Sequence, residues 1–131
     1  MNRKFVLAAG AFASAVSLAS AAFAGAADYA FEAVKADIKK GEDVTLAVRL
    51  IHKPSGKPVS DAVIVQTRID MAPDGMAEMA TKIDQMPSIE PGVYRFKANL
   101  SMEGRWQLSL GAKVQGETGT VESKLVLKAS R

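Results

Sequence analysis

The chain has 131 residues, 48% of them hydrophobic, with 17 Lys+Arg against 14 Asp+Glu, one histidine and no cysteine. Without cysteine there is no disulfide scaffold, no Fe–S cluster and no thiolate zinc site. There is also no histidine pair, no G-x-S-x-G elbow and no glycine-rich phosphate loop, so no enzymatic activity is expected.

The N-terminus reads as an export signal. Asn2-Arg3-Lys4 is a short basic region, an alanine-rich apolar run follows from Phe5 to about Ala22, and Ala22-Phe23-Ala24 has the small-x-small pattern of a signal-peptidase site. Residues 1–24 are therefore expected to be a cleaved signal peptide, and residues 25–131 a single mature domain. The run is long enough for an uncleaved anchor, but it is mostly alanine and lacks a basic stop-transfer flank. The expected product is a soluble periplasmic protein. Its charge, once Arg3 and Lys4 are gone, is 15 basic against 14 acidic residues. No arginine-rich stripe with interleaved aromatics supports nucleic-acid binding.

Alternation of period two runs through the mature chain. Tyr29–Val34 reads as a first edge strand. Asp43–Ile51 puts Val44, Leu46, Val48 and Leu50 on one face. His52–Pro58, with two prolines and a glycine, is a turn. Ala62–Met71 is the third strand, with Val63, Val65, Ile69 and Met71 in phase and Arg68 and Asp70 out of it. Asp70–Met79 reads as a loop, and Thr81–Met86 as a short fourth strand closed by Pro87. Glu90-Pro91-Gly92 turns the chain into Val93–Leu100, where Tyr94, Phe96, Ala98 and Leu100 share a face. Arg105–Val114 follows with Trp106, Leu108, Leu110, Ala112 and Val114, and Val121–Lys128 is the last. Seven short strands with turn signals between them predict an all-β fold, a seven-stranded immunoglobulin-like antiparallel β-sandwich.

Five of the six methionines fall between Met71 and Met102. Thioether sulfur is a soft, neutral donor that selects Cu(I) among biological metals, and unlike a thiolate it is not lost to disulfide formation outside the cytoplasm. Methionine is also a common filler of irregular cores, so each residue carries two readings. Met71 continues the inward phase of its strand, and Met102 follows the strand of Leu100. Met76 and Met79, among Asp74, Gly75, Ala77 and Glu78, are harder to explain as packing, and their spacing suits one face of a helical turn. In an up-and-down sandwich the connections after the third and fifth strands emerge at the same end. Met71, Met76, Met79 and Met102 are therefore expected at one rim as the metal ligands. His52 and Met86 belong to the opposite end, where a second, weaker site pairing them stays open. Asp70, Asp74 and Glu78 match no calcium loop and read as solvated charges that favour the approach of a cation.

Asp70-Met71-Ala72-Pro73-Asp74-Gly75-Met76-Ala77-Glu78-Met79, Glu90-Pro91-Gly92-Val93-Tyr94-Arg95-Phe96, Ser101-Met102-Glu103-Gly104-Arg105-Trp106-Gln107-Leu108 and Gly56-Lys57-Pro58-Val59-Ser60-Asp61-Ala62 resemble the FixH/YtkA-like family. The resemblance spans about residues 42–128. It implies a small exported or membrane-anchored β-sandwich that accompanies copper efflux systems or the assembly of copper-containing oxidases. It further implies a methionine motif of Met71, Met76, Met79 and Met102, with Trp106 as its structural anchor. FixH proper carries a transmembrane anchor, and this chain departs from that with a cleavable leader. The expected function is to buffer Cu(I) or deliver it to a periplasmic or membrane-bound efflux or delivery protein. The alternative is a metal-free module whose methionine-rich rim is a deformable contact surface for a membrane complex.

Overall fold

The alternating segments fold into two sheets that share one core. The computed structural model describes residues 27–131; the expected signal peptide, residues 1–24, lies outside them. Among the described residues no helix is long and apolar enough to cross a membrane. One sheet has the order β1 (Tyr29–Ala33), β3 (Gly41–His52), β8 (Val93–Leu100), β7 (Ile83–Met86), with β4 (Lys57–Pro58) also on β3. The other runs β2 (Asp37–Lys39), β10 (Thr120–Ser130), β9 (Gly104–Lys113), β5 (Val63–Met71), β6 (Met76–Thr81).

The inward faces match the alternation. Leu46, Val48, Leu50, Tyr94, Phe96 and Leu100 from the first sheet are buried against Ile69, Trp106, Leu108, Leu110 and Leu127 from the second. Each half-buried strand thereby finds an apolar partner across the interior. The Tyr94 hydroxyl donates to the Val59 carbonyl at 2.6 Å and accepts from the Ala62 amide at 3.1 Å. That pins the β4–β5 connection to the first sheet and satisfies two backbone groups.

The all-β class holds, but the strands among the described residues number ten rather than seven. Two short strands, β2 and β4, are additional, and β2 pairs with β10 in parallel. The expected fourth strand is two strands in different sheets: β6 pairs with β5, β7 pairs with β8, and the chain changes sheet at Lys82. The N-terminal segment does the same on the other side, running as β1 in one sheet and β2 in the other. Each flank of the sandwich is thus closed by one segment that serves both sheets, which shortens the free edges.

The expected inward phase of β5 fails in its first half. Val63 and Val65 are exposed, whereas Ile64 packs against the core and Ile69 and Met71 are fully buried. The register against β9 shifts between Ile64 and Gln66. A bulge inserts one residue and so exchanges the two faces.

Candidate functional site at one end of the sandwich

The segment expected to be a loop is a hairpin. Ala72–Asp74 form one turn of 3-10 helix with Pro73 near its start, and Gly75 ends it in the left-handed region at φ 76°. A side chain at Gly75 would make that backbone strained. Met76 then begins β6, with its Cα opposite that of Met71. The expected helical turn carrying Met76 and Met79 on one face is therefore replaced by extended chain. The matched pairs Met71↔Met76 and Ile69↔Thr81 lie two residues apart on β5 but five apart on β6. The intervening residues of β6 bulge away from the ladder and are exposed.

The four methionines differ in burial. Met71 is fully enclosed at 0% exposure, and Met76 is partly buried against the core. Met79 and Met102 are 40% and 39% exposed. Two sulfurs thus belong to the interior side of the rim and two to its surface.

The hairpin and the Ser101–Glu103 turn meet, as chain reversal requires. Asp74 accepts from the Arg105 amide at 2.7 Å through Oδ2 and from Arg105 Nε at 2.8 Å through Oδ1. Arg105 Nη2 donates to the Pro73 carbonyl at 2.8 Å. The two bonds to Asp74, the backbone one first, hold its carboxyl below the usual aspartate range. Gly104 makes the approach possible. A Cβ there would lie 2.6 Å from Met71 Cε and 2.6 Å from Asp74 Oδ2, at a φ of 141° that side chains rarely adopt. The Met71 methyl therefore abuts Gly104, two residues from Met102. Trp106, 2% exposed, donates its indole N–H to the Met102 carbonyl at 3.1 Å, so the expected anchor fixes the turn through a backbone bond.

The acidic residues of the hairpin are not all free charges. Asp70 is buried, accepting from Arg68 Nε at 2.7 Å and from the Ala72 amide at 2.9 Å. Arg68 Nη2 in turn donates to the Ala77 carbonyl at 2.9 Å, across the hairpin. Asp70 and Asp74 thus shape the rim, and Glu78 alone of the three is exposed without a bonded partner among the described residues. Among the described residues, no three His, Cys, Asp or Glu side chains gather as a metal-holding group.

His52 is remote from this rim. Gly41 pairs with Leu100 beside the Met102 turn, and His52 ends the same strand, about 35 Å away at ~3.3 Å per residue. There its ring lies 5.1 Å from that of Tyr29, and its Nδ1 is 2.7 Å from Ser55 Oγ. The Tyr29 hydroxyl donates to Glu117 at 3.0 Å. Met86 pairs with Arg95, which pairs with Ala47. Two strand spacings and five residues of rise then separate Met86 from His52, roughly 19 Å between backbones. That separation removes the second site pairing His52 with Met86.

Sequence reasoning does not reach the Asp74–Arg105 contact. Its partners are 31 residues apart, and no local pattern links them.

A model of the YtkA-like family matches residues 23–111. The chain belongs to the YtkA-like family. The matched span takes in the hairpin, the Met102 turn and Trp106, and ends in β9. No curated protein matches this YtkA-like chain significantly. Among solved structures, the Lin-41 filamin domain is similar at a TM-score of 0.45 and 18% identity, over 79% of this chain and 93% of that one. The ZirS C-terminal domain is similar at 0.44 and 17%, over 79% of this chain and 66% of that one.

Proposed function

We propose that this YtkA-like protein is a soluble periplasmic Cu(I) carrier, not an enzyme, that holds its cargo on the thioethers of Met71, Met76, Met79 and Met102. It would buffer the ion or pass it to a metal efflux or delivery protein in the periplasm or its membrane. The observation that carries the reading is the meeting of the methionine hairpin with the Met102 turn through Asp74 and Arg105. That contact supports the reading, because it joins the two distant segments that carry the methionines. Cu(I) accepts three or four thioethers, so the loss of one still leaves a trigonal set, and the donors are too soft and neutral for Zn²⁺ or Ca²⁺. The exposure of Met79 and Met102 suits transfer, since a partner's ligands can displace these sulfurs first.

Competition titration of Cu(I) against a chromophoric chelator under reducing conditions tests the reading. One Cu(I) per chain is expected, with affinity lost in a Met76→Leu/Met79→Leu variant that folds normally. The full burial of Met71 favours a second reading, a metal-free module whose methionines fill and soften a contact surface. Wild-type protein that takes up no Cu(I) would establish that reading instead.

A further inference from the structure

We infer that Asp74 and Arg105 are positioning residues that set how many sulfurs reach the ion, by seating the Met102 turn on the hairpin. The inference rests on the Cu(I) reading above. Met71, Met76 and Met79 share one hairpin, whose shape is fixed internally by Asp70 and Arg68. Met102 lies on a different connection. Two observations put that connection against the hairpin.

The first is the polar tie itself. Both Asp74 oxygens are used on Arg105, and the Arg105 guanidinium continues to the Pro73 carbonyl. These are charge-assisted bonds with directional geometry, which fix position as well as distance. The second is Gly104. Any side chain there would strike Asp74 and the Met71 methyl together, so the close approach depends on its absence. Trp106 holds the Met102 carbonyl, and its indole hydrogen bond is to that turn rather than to the hairpin. The strands themselves do not need the tie. β9 pairs with β10 and β5, and β8 with β3 and β7, through ladders of their own.

Loss of the tie should therefore leave the sandwich folded and the hairpin sulfurs in place, with the Met102 turn free to drift. The remaining three sulfurs can still bind Cu(I), but Met102 no longer reaches the ion, because ordering its freed turn would cost what the fourth bond returns.

Asp74→Asn is the direct test. The amide keeps the size of the carboxylate but presents an NH₂ to one of two donors of Arg105. Cu(I) affinity should fall about tenfold, as expected when one preorganised ligand drops out of the set. The number of sulfur scatterers seen by X-ray absorption should fall by one. A double-mutant cycle with Met102→Leu separates positioning from general damage. If Asp74 acts through Met102, then Met102→Leu costs no further affinity once Asp74→Asn is in place. Additive losses, or an unchanged sulfur count, would overturn the inference while leaving the Cu(I) reading intact. Wild-type protein that binds no Cu(I) would overturn both. Arg105→Lys supplies a second variant: it keeps the charge but not the fork that reaches both Asp74 and Pro73, and it should give the same sulfur count as Asp74→Asn.

Discussion

Met71 separates the two roles of a methionine better than any other residue of this protein. It is fully buried, and its methyl group ends against Gly104. Met71→Ala removes the side chain beyond Cβ from a fully buried site on a strand paired on both sides, by β6 and β9. The expected cost is about 2–5 kcal/mol. For a domain of this size each kcal/mol moves the melting temperature by roughly 4–8 °C. Met71→Leu keeps most of the volume but does not reach Gly104, and should cost less than about 1.5 kcal/mol. Urea unfolding, with the slope m unchanged between variants, measures both. Cu(I) titration of the leucine variant then asks the second question. With stability nearly retained, affinity should fall if the Met71 sulfur is a donor. An alanine variant that loses less than about 1 kcal/mol would refute the burial argument. A leucine variant that binds Cu(I) like the wild type would refute the donor role and leave Met71 a core residue.

Contacts further from the sulfurs carry their own expectations. Tyr94→Phe removes the hydroxyl that bonds Val59 and Ala62, and should cost about 1–3 kcal/mol by chemical denaturation. Burial raises the Tyr94 pKa above 10, against the opposing pull of the Ala62 amide. Its contribution is therefore fully present below the unfolded value and is lost as pH rises through the folded one; the phenylalanine variant should show a shallower alkaline decline. Trp106→Phe loses the indole bond to Met102 and leaves a void, for a cost of roughly 1–3 kcal/mol, and should sharpen the Met102 methyl resonance as its turn gains freedom. Edman sequencing of protein released by osmotic shock should begin at or near Gly25; recovery in the membrane fraction with residues 1–24 intact would show an anchor instead.

Much of this architecture is legible from period-two alternation. In β3, β8, β9 and β10 the alternating apolar residues are the ones that face the core, because a strand buried on one face has a single viable register. The bulge in β5 is not legible. Val63 and Val65 look as apolar as Ile69, and only pairing with β9 decides which face they occupy. Nor is the sheet change at Lys82, which no glycine or proline marks. At the rim, up-and-down topology suffices to bring Met102 towards the hairpin and to send His52 to the far end. It does not show that Asp70 and Asp74 are spent on arginines, because those contacts depend on side-chain placement, and in the case of Asp74 on a residue 31 positions away. The local conformation of Met76–Thr81 is also hidden from sequence. A segment rich in alanine, glutamate and methionine favours helix by propensity, but here pairing with β5 overrides it.

Ligation of Cu(I) by four thioethers would be visible in the methyl resonances of the methionines during titration with Cu(I) under reducing conditions. The signals of Met71, Met76, Met79 and Met102 should shift and saturate together at one equivalent, while Met86 and the His52 ring stay still. Shifts confined to His52 or Met86, or no shift at any methionine, would contradict that ligation.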